Sequence, residues 1–167
     1  VLLELAPGFP ISAIWLLPEG ASDRAVLVAH GHYGQGKNSA EAQEIAWDLA
    51  ASGVPALLVD TPGVEEGDLP ALRLHFEEGA HNRGYLVAGG SSVLGVQVAV
   101  LRRALDWLEI QGIRRIAATG ASGGAVQSFY LGLVDPRVRG VALASFPPIP
   151  REARAGGCAC DLLPGLT

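Results

Sequence analysis

A chain of 167 residues with 49% hydrophobic and 17% charged content is long enough for one domain with a substantial core and too apolar to stay disordered. Its formal charge of −5, with twelve Lys and Arg scattered rather than clustered, argues against a polyanion-binding surface, so nucleic acid is not an expected partner. The longest apolar runs, such as 25–29 and 55–59, have strand length, far short of the roughly 20 residues that cross a bilayer, so no membrane partner is expected either.

Taken in chain order, residues 11–17 carry the β-branched and aromatic content of a strand and end at the turn signal Pro18-Glu19-Gly20. Residues 24–29 form a second, more apolar strand. Asn38-Ser39-Ala40-Glu41 then offers a capping residue with a glutamate three positions on. Ala42, Ile45, Ala46 and Leu49 share one helical face behind it, until Gly53 stops the helix. Residues 54–59 lack polar alternation and read as a strand buried on both faces, the pattern of a parallel sheet.

From 63 to 92 the pattern dissolves into charges, glycines and two histidines, a long connection of the kind that often carries function. Val93, Val96, Val100, Leu101, Ala104, Leu105 and Leu108 recur at helical spacing, which predicts an amphipathic helix to about Ile110. A strand over 116–119, a helix over 125–134 and a last strand over 138–145 follow, and Pro147, Pro148 and Pro150 end the series. Strands alternating with helices predict one α/β domain over 1–167 with a mostly parallel sheet covered by helices on both faces. Ligands of such sheets bind beyond the carboxyl ends of the strands.

At one such end stands Gly120-Ala121-Ser122-Gly123-Gly124, between an apolar strand and a helix. That is the setting of a nucleophile elbow. The glycines permit a tight turn and close strand–helix approach, and the serine is left exposed at the apex. A serine hydroxyl attacks only if a base takes its proton and donors meet the developing oxyanion. The backbone N–H of Gly123 is the expected first donor. The second is expected from the loop His30-Gly31-His32-Tyr33-Gly34, and is assigned to the N–H of His32.

The base is missing, since no histidine follows Ser122. His30 and His32 precede it, whereas the elbow has the chain order Ser, acid, His, so both are read as shaping their loop. His75 and His81 fall in the long connection, with a substrate-pocket role open for His81. Asp135, just before Pro136, and Asp161, in the tail, do not stand just past a strand where a triad acid belongs. The chain also has no methionine and opens on Val1-Leu2-Leu3-Glu4-Leu5, so it is expected to be a piece of a longer polypeptide. Cys158 and Cys160 supply at most two soft ligands, and a structural zinc takes four. No metal site is expected.

A nucleotide-binding reading competes. Gly31 to Asn38 comes within one residue of the pattern G-x-x-x-x-G-K-[ST], and Asp60-Thr61-Pro62-Gly63 resembles a GTPase magnesium and switch element. Against it, Asn38 replaces the hydroxyl that would hold magnesium, and Ser122 is left unexplained.

With the His-Gly loop, the turn at 60–63 and the elbow in order, the chain resembles the α/β-hydrolase family over nearly its whole length. His30-Gly31-His32 through Lys37, His81-Asn82-Arg83-Gly84 and Arg103-Ala104-Leu105-Asp106-Trp107-Leu108 look like the dienelactone hydrolase and acetyl xylan esterase group. Cys158-Ala159-Cys160 with Leu163-Pro164-Gly165 looks like a loop after the sixth strand there. The resemblance implies an eight-stranded sheet, with the acid after strand seven and the histidine after strand eight, of which this chain would be the N-terminal portion. It implies Ser122 as nucleophile, Gly123 and His32 as oxyanion donors, a small-molecule ester substrate and no cofactor. A piece ending before acid and base is expected to hydrolyse esters poorly and to leave a sheet edge unprotected. A peptidase of the same fold and a non-catalytic binding form are the alternatives.

Overall fold

The computed structural model describes residues 1–20, 22–32, 34–65 and 89–146. Among these residues six strands form one sheet: β1 (Leu2–Ala6), β2 (Phe9–Leu16), β3 (Arg24–Ala29), β4 (Ala56–Val59), β5 (Arg115–Ala121) and β6 (Val138–Ala144). Their spatial order is β1-β2-β4-β3-β5-β6. β1 and β2 form an antiparallel hairpin, and β2 runs antiparallel to β4. From β4 through β3 and β5 to β6 every pairing is parallel. Among the described residues three α-helices connect these strands: α1 (Ala40–Ala51), α2 (Val93–Ile110) and α3 (Gly123–Val134).

The alternation of side chains along the strands builds two cores. On one face Leu27, Leu57, Val59, Ile116 and Ala118 pack against Val100, Leu101, Ala104, Leu105 and Leu108 of α2 and Leu131 of α3. On the other, Val28, Ala56 and Leu58 meet Ala42 and Ala46 of α1, with Ile45 and Leu49 partly buried beside them. Helices therefore cover both faces, as the apolar runs at 25–29 and 55–59 require. At the end of α3, Asp135 is buried and held by Arg102 and Arg137, while Arg137 also reaches Asp106 and Glu109. This network ties α2 to the turn that enters β6.

Several boundaries differ from the sequence reading, each for a physical reason. β1 was not anticipated, because Leu2-Leu3-Glu4-Leu5-Ala6 contains no β-branched residue. It is a strand because it pairs with β2 and buries Leu3, tertiary context overriding propensity. The cap of α1 is Ser39, whose hydroxyl accepts from the Ala42 N–H at 3.4 Å. Asn38 instead closes a 3₁₀ turn over Gly36–Asn38. α3 begins at Gly123, two residues earlier than its side-chain pattern suggests, because the elbow delivers the chain directly into helix. Most of the long connection, with His75 and His81, and the tail from 147, with Cys158, Cys160 and Asp161, lie outside the described residues.

Candidate active site

β5 carries the chain to Ala121 at its carboxyl end and α3 leaves from Gly123, so Ser122 alone makes the reversal. Its backbone sits at φ 53°, ψ −120°, a conformation L-residues adopt at a cost of about 1–3 kcal/mol. What holds it there is on both sides. The Ser122 N–H donates to Ala144 O of β6 at 3.0 Å, and its carbonyl accepts from the N–H groups of Ala125 and Val126 at 3.0 and 3.2 Å. The Ser122 hydroxyl makes no capping bond to α3, and the residue is half-exposed.

The two flanking glycines are required by close approach. A Cβ on Gly120 would stand 2.5 Å from Ala29 O and 2.6 Å from the carbonyl carbon of Gly124. One on Gly124 would overlap Ala29 O and lie 3.0 Å from the carbonyl carbon of His30. The first turn of α3 is thus pressed against the end of β3 and the start of its following loop. Gln127 of α3 extends the contact, its Nε2 donating to His30 O at 3.2 Å. Gly123 and Gly124 are the first residues of the helix, so their N–H groups have no intrahelical acceptor and lie at its electropositive end.

His30 is committed elsewhere. Gly31 O can only accept, so the 2.6 Å contact places the proton on Nδ1. Nε2 is then the acceptor for the Thr61 N–H at 3.2 Å. The ring is buried, and burial holds its pKa below the ordinary histidine value. Both ring nitrogens are thus engaged by partners other than Ser122. His32, half-buried, lies two residues further along the same loop.

Lys37 and Asp60 also meet. The Lys37 backbone N–H donates to Oδ1 at 2.7 Å and its ammonium to Oδ2 at 2.6 Å, with both side chains 3% exposed. Burial pushes the Asp60 carboxyl up against the opposing pull of Lys37. This corrects the nucleotide-binding reading of 31–38: the ammonium that would reach a phosphate is sealed inside the protein against the carboxylate that would hold magnesium. The pairing was missed because the two residues stand 23 positions apart, although a lysine ahead of a capped helix and an aspartate at the end of a buried strand were both visible. Among the described residues no group of three or more His, Cys, Asp and Glu side chains is placed to hold a metal ion.

Asp135, set aside in the sequence as a triad acid, is at the wrong end of the sheet. β6 runs parallel to β5, so Asp135, just before the start of β6, lies about a strand length, roughly 20 Å, from the elbow. Its bonds to Arg137 and Arg102 hold its carboxyl down to about 2, as suits a buried structural anion.

The fold is shared with solved structures. A cold-adapted esterase from an Arctic intertidal metagenomic library is 26% identical, with TM-score 0.65, over 86% of this chain and 58% of that one. The dienelactone hydrolase of Anabaena variabilis is 23% identical, with TM-score 0.63, over 87% of this chain and 62% of that one. This is an α/β-hydrolase fold. A third relative by structure, Est1E of Butyrivibrio proteoclasticus with ferulic acid bound, is 15% identical, with TM-score 0.68, over 95% of this chain and 57% of that one. The chain therefore spans less than two thirds of the length of each. No family model matches it, and no curated protein matches it by sequence. Within the α/β-hydrolase fold, the described residues supply six strands and the turn on which Ser122 stands.

Proposed function

We propose that this chain carries the nucleophile of a serine-dependent hydrolase of carboxylic esters. The observation that bears the reading is the backbone of Ser122, at φ 53° between β5 and α3 with Gly120 and Gly124 wedged against Ala29. A fold that holds a non-glycine residue in this conformation at a strand-to-helix junction presents its side chain outward, at the carboxyl end of the sheet. The esterases among its structural relatives support the same class.

In the proposed reaction Ser122 Oγ loses its proton to a general base and attacks the ester carbonyl carbon. The carbonyl oxygen becomes an oxyanion facing the N–H of Gly123 and that of His32. Collapse of this intermediate expels the alcohol, which takes up the proton, and leaves an acyl group on Ser122 for water to remove. The N-terminus of α3 adds its dipole to the oxyanion's stabilisation. The base is not His30, for the reasons of bonding given above, and the acid is not Asp135. The chemistry needs no metal or organic cofactor.

The test is labelling by a fluorophosphonate probe and hydrolysis of a short-chain aryl ester by the full-length natural protein that contains residues 1–167. Both are expected to disappear in Ser122→Ala, with turnover lower by at least ~10³-fold. Labelling that persists in that variant would place the nucleophile elsewhere.

A further inference from the structure

We infer that Lys37 and Asp60 are positioning residues for the oxyanion loop, an inference that rests on the reading of Ser122 and His32 above. The loop between β3 and the 3₁₀ turn contains Gly31 and Gly34, and the turn opens on Gly36; none of the three has a side chain to lock the segment by packing. A donor contributes to catalysis only if it is held within about half an ångström of its productive place, so something else must fix this loop.

Two consecutive residues after β4 do so. Thr61 bonds the upstream end, its N–H donating to His30 Nε2 at 3.2 Å. Asp60 bonds the downstream end, with one carboxylate oxygen on the backbone N–H of Lys37 and the other on its ammonium. The fit is close enough that a Cβ on Gly36, at φ 48°, would overlap Asp60 Oδ1 and lie 2.6 Å from Val64 Cγ1. Gln127 ties the upstream end to α3 as well, so the loop is fixed relative to both the β4 end and the elbow.

A buried ion pair is a poor means of adding stability, since an apolar pair of similar volume often does as well or better. What the carboxylate does that an apolar side chain does not is grip a backbone N–H and a side chain of the same residue at once. That sets both the position and the direction of the chain as it leaves the loop.

The experiment compares Lys37→Met/Asp60→Leu and Asp60→Asn with wild type in the full-length natural protein. It measures ester hydrolysis, thermal midpoint and amide hydrogen exchange of residues 31–36. The double variant is expected to fold with a modestly lowered thermal midpoint, since the Lys37 N–H loses its acceptor, to lose roughly 10²-fold in kcat with KM within about twofold, and to exchange the loop amides at least about tenfold faster, with the rest of the sheet unchanged. If the double variant does not fold, Asp60→Asn, which keeps the shape and one acceptor, carries the same test. A folded variant with kcat within about threefold of wild type and unaltered loop exchange overturns the inference. Absence of Ser122-dependent turnover in wild type would instead overturn the hydrolase reading and this inference with it. The exchange data then still show whether the pair holds the loop.

Discussion

Replacing Gly124 by alanine tests the geometry of the elbow at its tightest point. The new methyl would overlap Ala29 O and stand 2.8 Å from the Ala29 carbonyl carbon and 3.0 Å from that of His30. Ordinary carbon contacts are about 3.5–4.0 Å, so α3 and β3 must separate by roughly 1 Å. Every atom met is backbone, and β3 is hydrogen-bonded on both sides by β4 and β5, so no side chain can swing away to relieve the overlap. The cost belongs at the upper end of the range for overpacked cores, ~3 kcal/mol. For a domain of this size that lowers the thermal midpoint by about 6–12 °C. Urea unfolding followed by circular dichroism measures it. Gly140→Ala is the matched control, because its Cβ would meet nothing within 4 Å among the described residues, and it is expected to stay within about 0.5 kcal/mol of wild type. A Gly124→Ala protein as stable as that control would refute the claim that contact with Ala29 excludes a side chain here.

Ser122 stores strain that its replacement releases. Ser122→Gly and Ser122→Ala both remove the nucleophile, but only glycine adopts φ 53° freely, so the glycine variant is expected to be the more stable by about 1 kcal/mol, the strain less glycine's entropic penalty; equal denaturation midpoints would show the turn unstrained. Asp135, held down to about 2 by Arg137 and Arg102, has a folded pKa below its unfolded one. Its contribution is therefore complete above pH ~4 and lost as the pH falls toward 2. Asp135→Asn is expected to lose up to about 2 kcal/mol at pH 7, with the gap to wild type closing in acid; a gap that is constant with pH would assign the loss to packing. His30 is kept neutral by burial, so protonation opposes folding, and its contribution is complete above the ordinary histidine pKa and declines as the pH drops below it. Wild type should thus lose more stability than His30→Gln between pH 7.5 and 5.5, and parallel profiles would show that His30 does not titrate on unfolding.

The parts of this α/β-hydrolase fold that the sequence made legible depend on near neighbours. α2 runs over Val93–Ile110, as its apolar spacing predicts, because one amphipathic face specifies both the helix and the side it buries. β3, β5 and the turn at Ser122 were readable for a similar reason: short apolar runs punctuated by glycine allow few backbone solutions. Even the strained φ at 122 follows from a glycine two residues to each side, since only that spacing lets strand and helix meet so closely.

What the tertiary structure alone decided are the pairings across the chain. β1 has no local preference for a strand and exists because β2 offers it hydrogen bonds. The order β1-β2-β4-β3-β5-β6 is a property of the assembled sheet, since each strand's pattern reports how buried it is but not its neighbour. A phosphate-ligand role for Lys37 stayed open as a rival until β4 placed Asp60 against it, and His30 read only as a loop residue until Thr61 filled its second nitrogen. A hydrogen bond or ion pair is set by the distance between its partners, and for residues tens of positions apart that distance exists only once the core has closed.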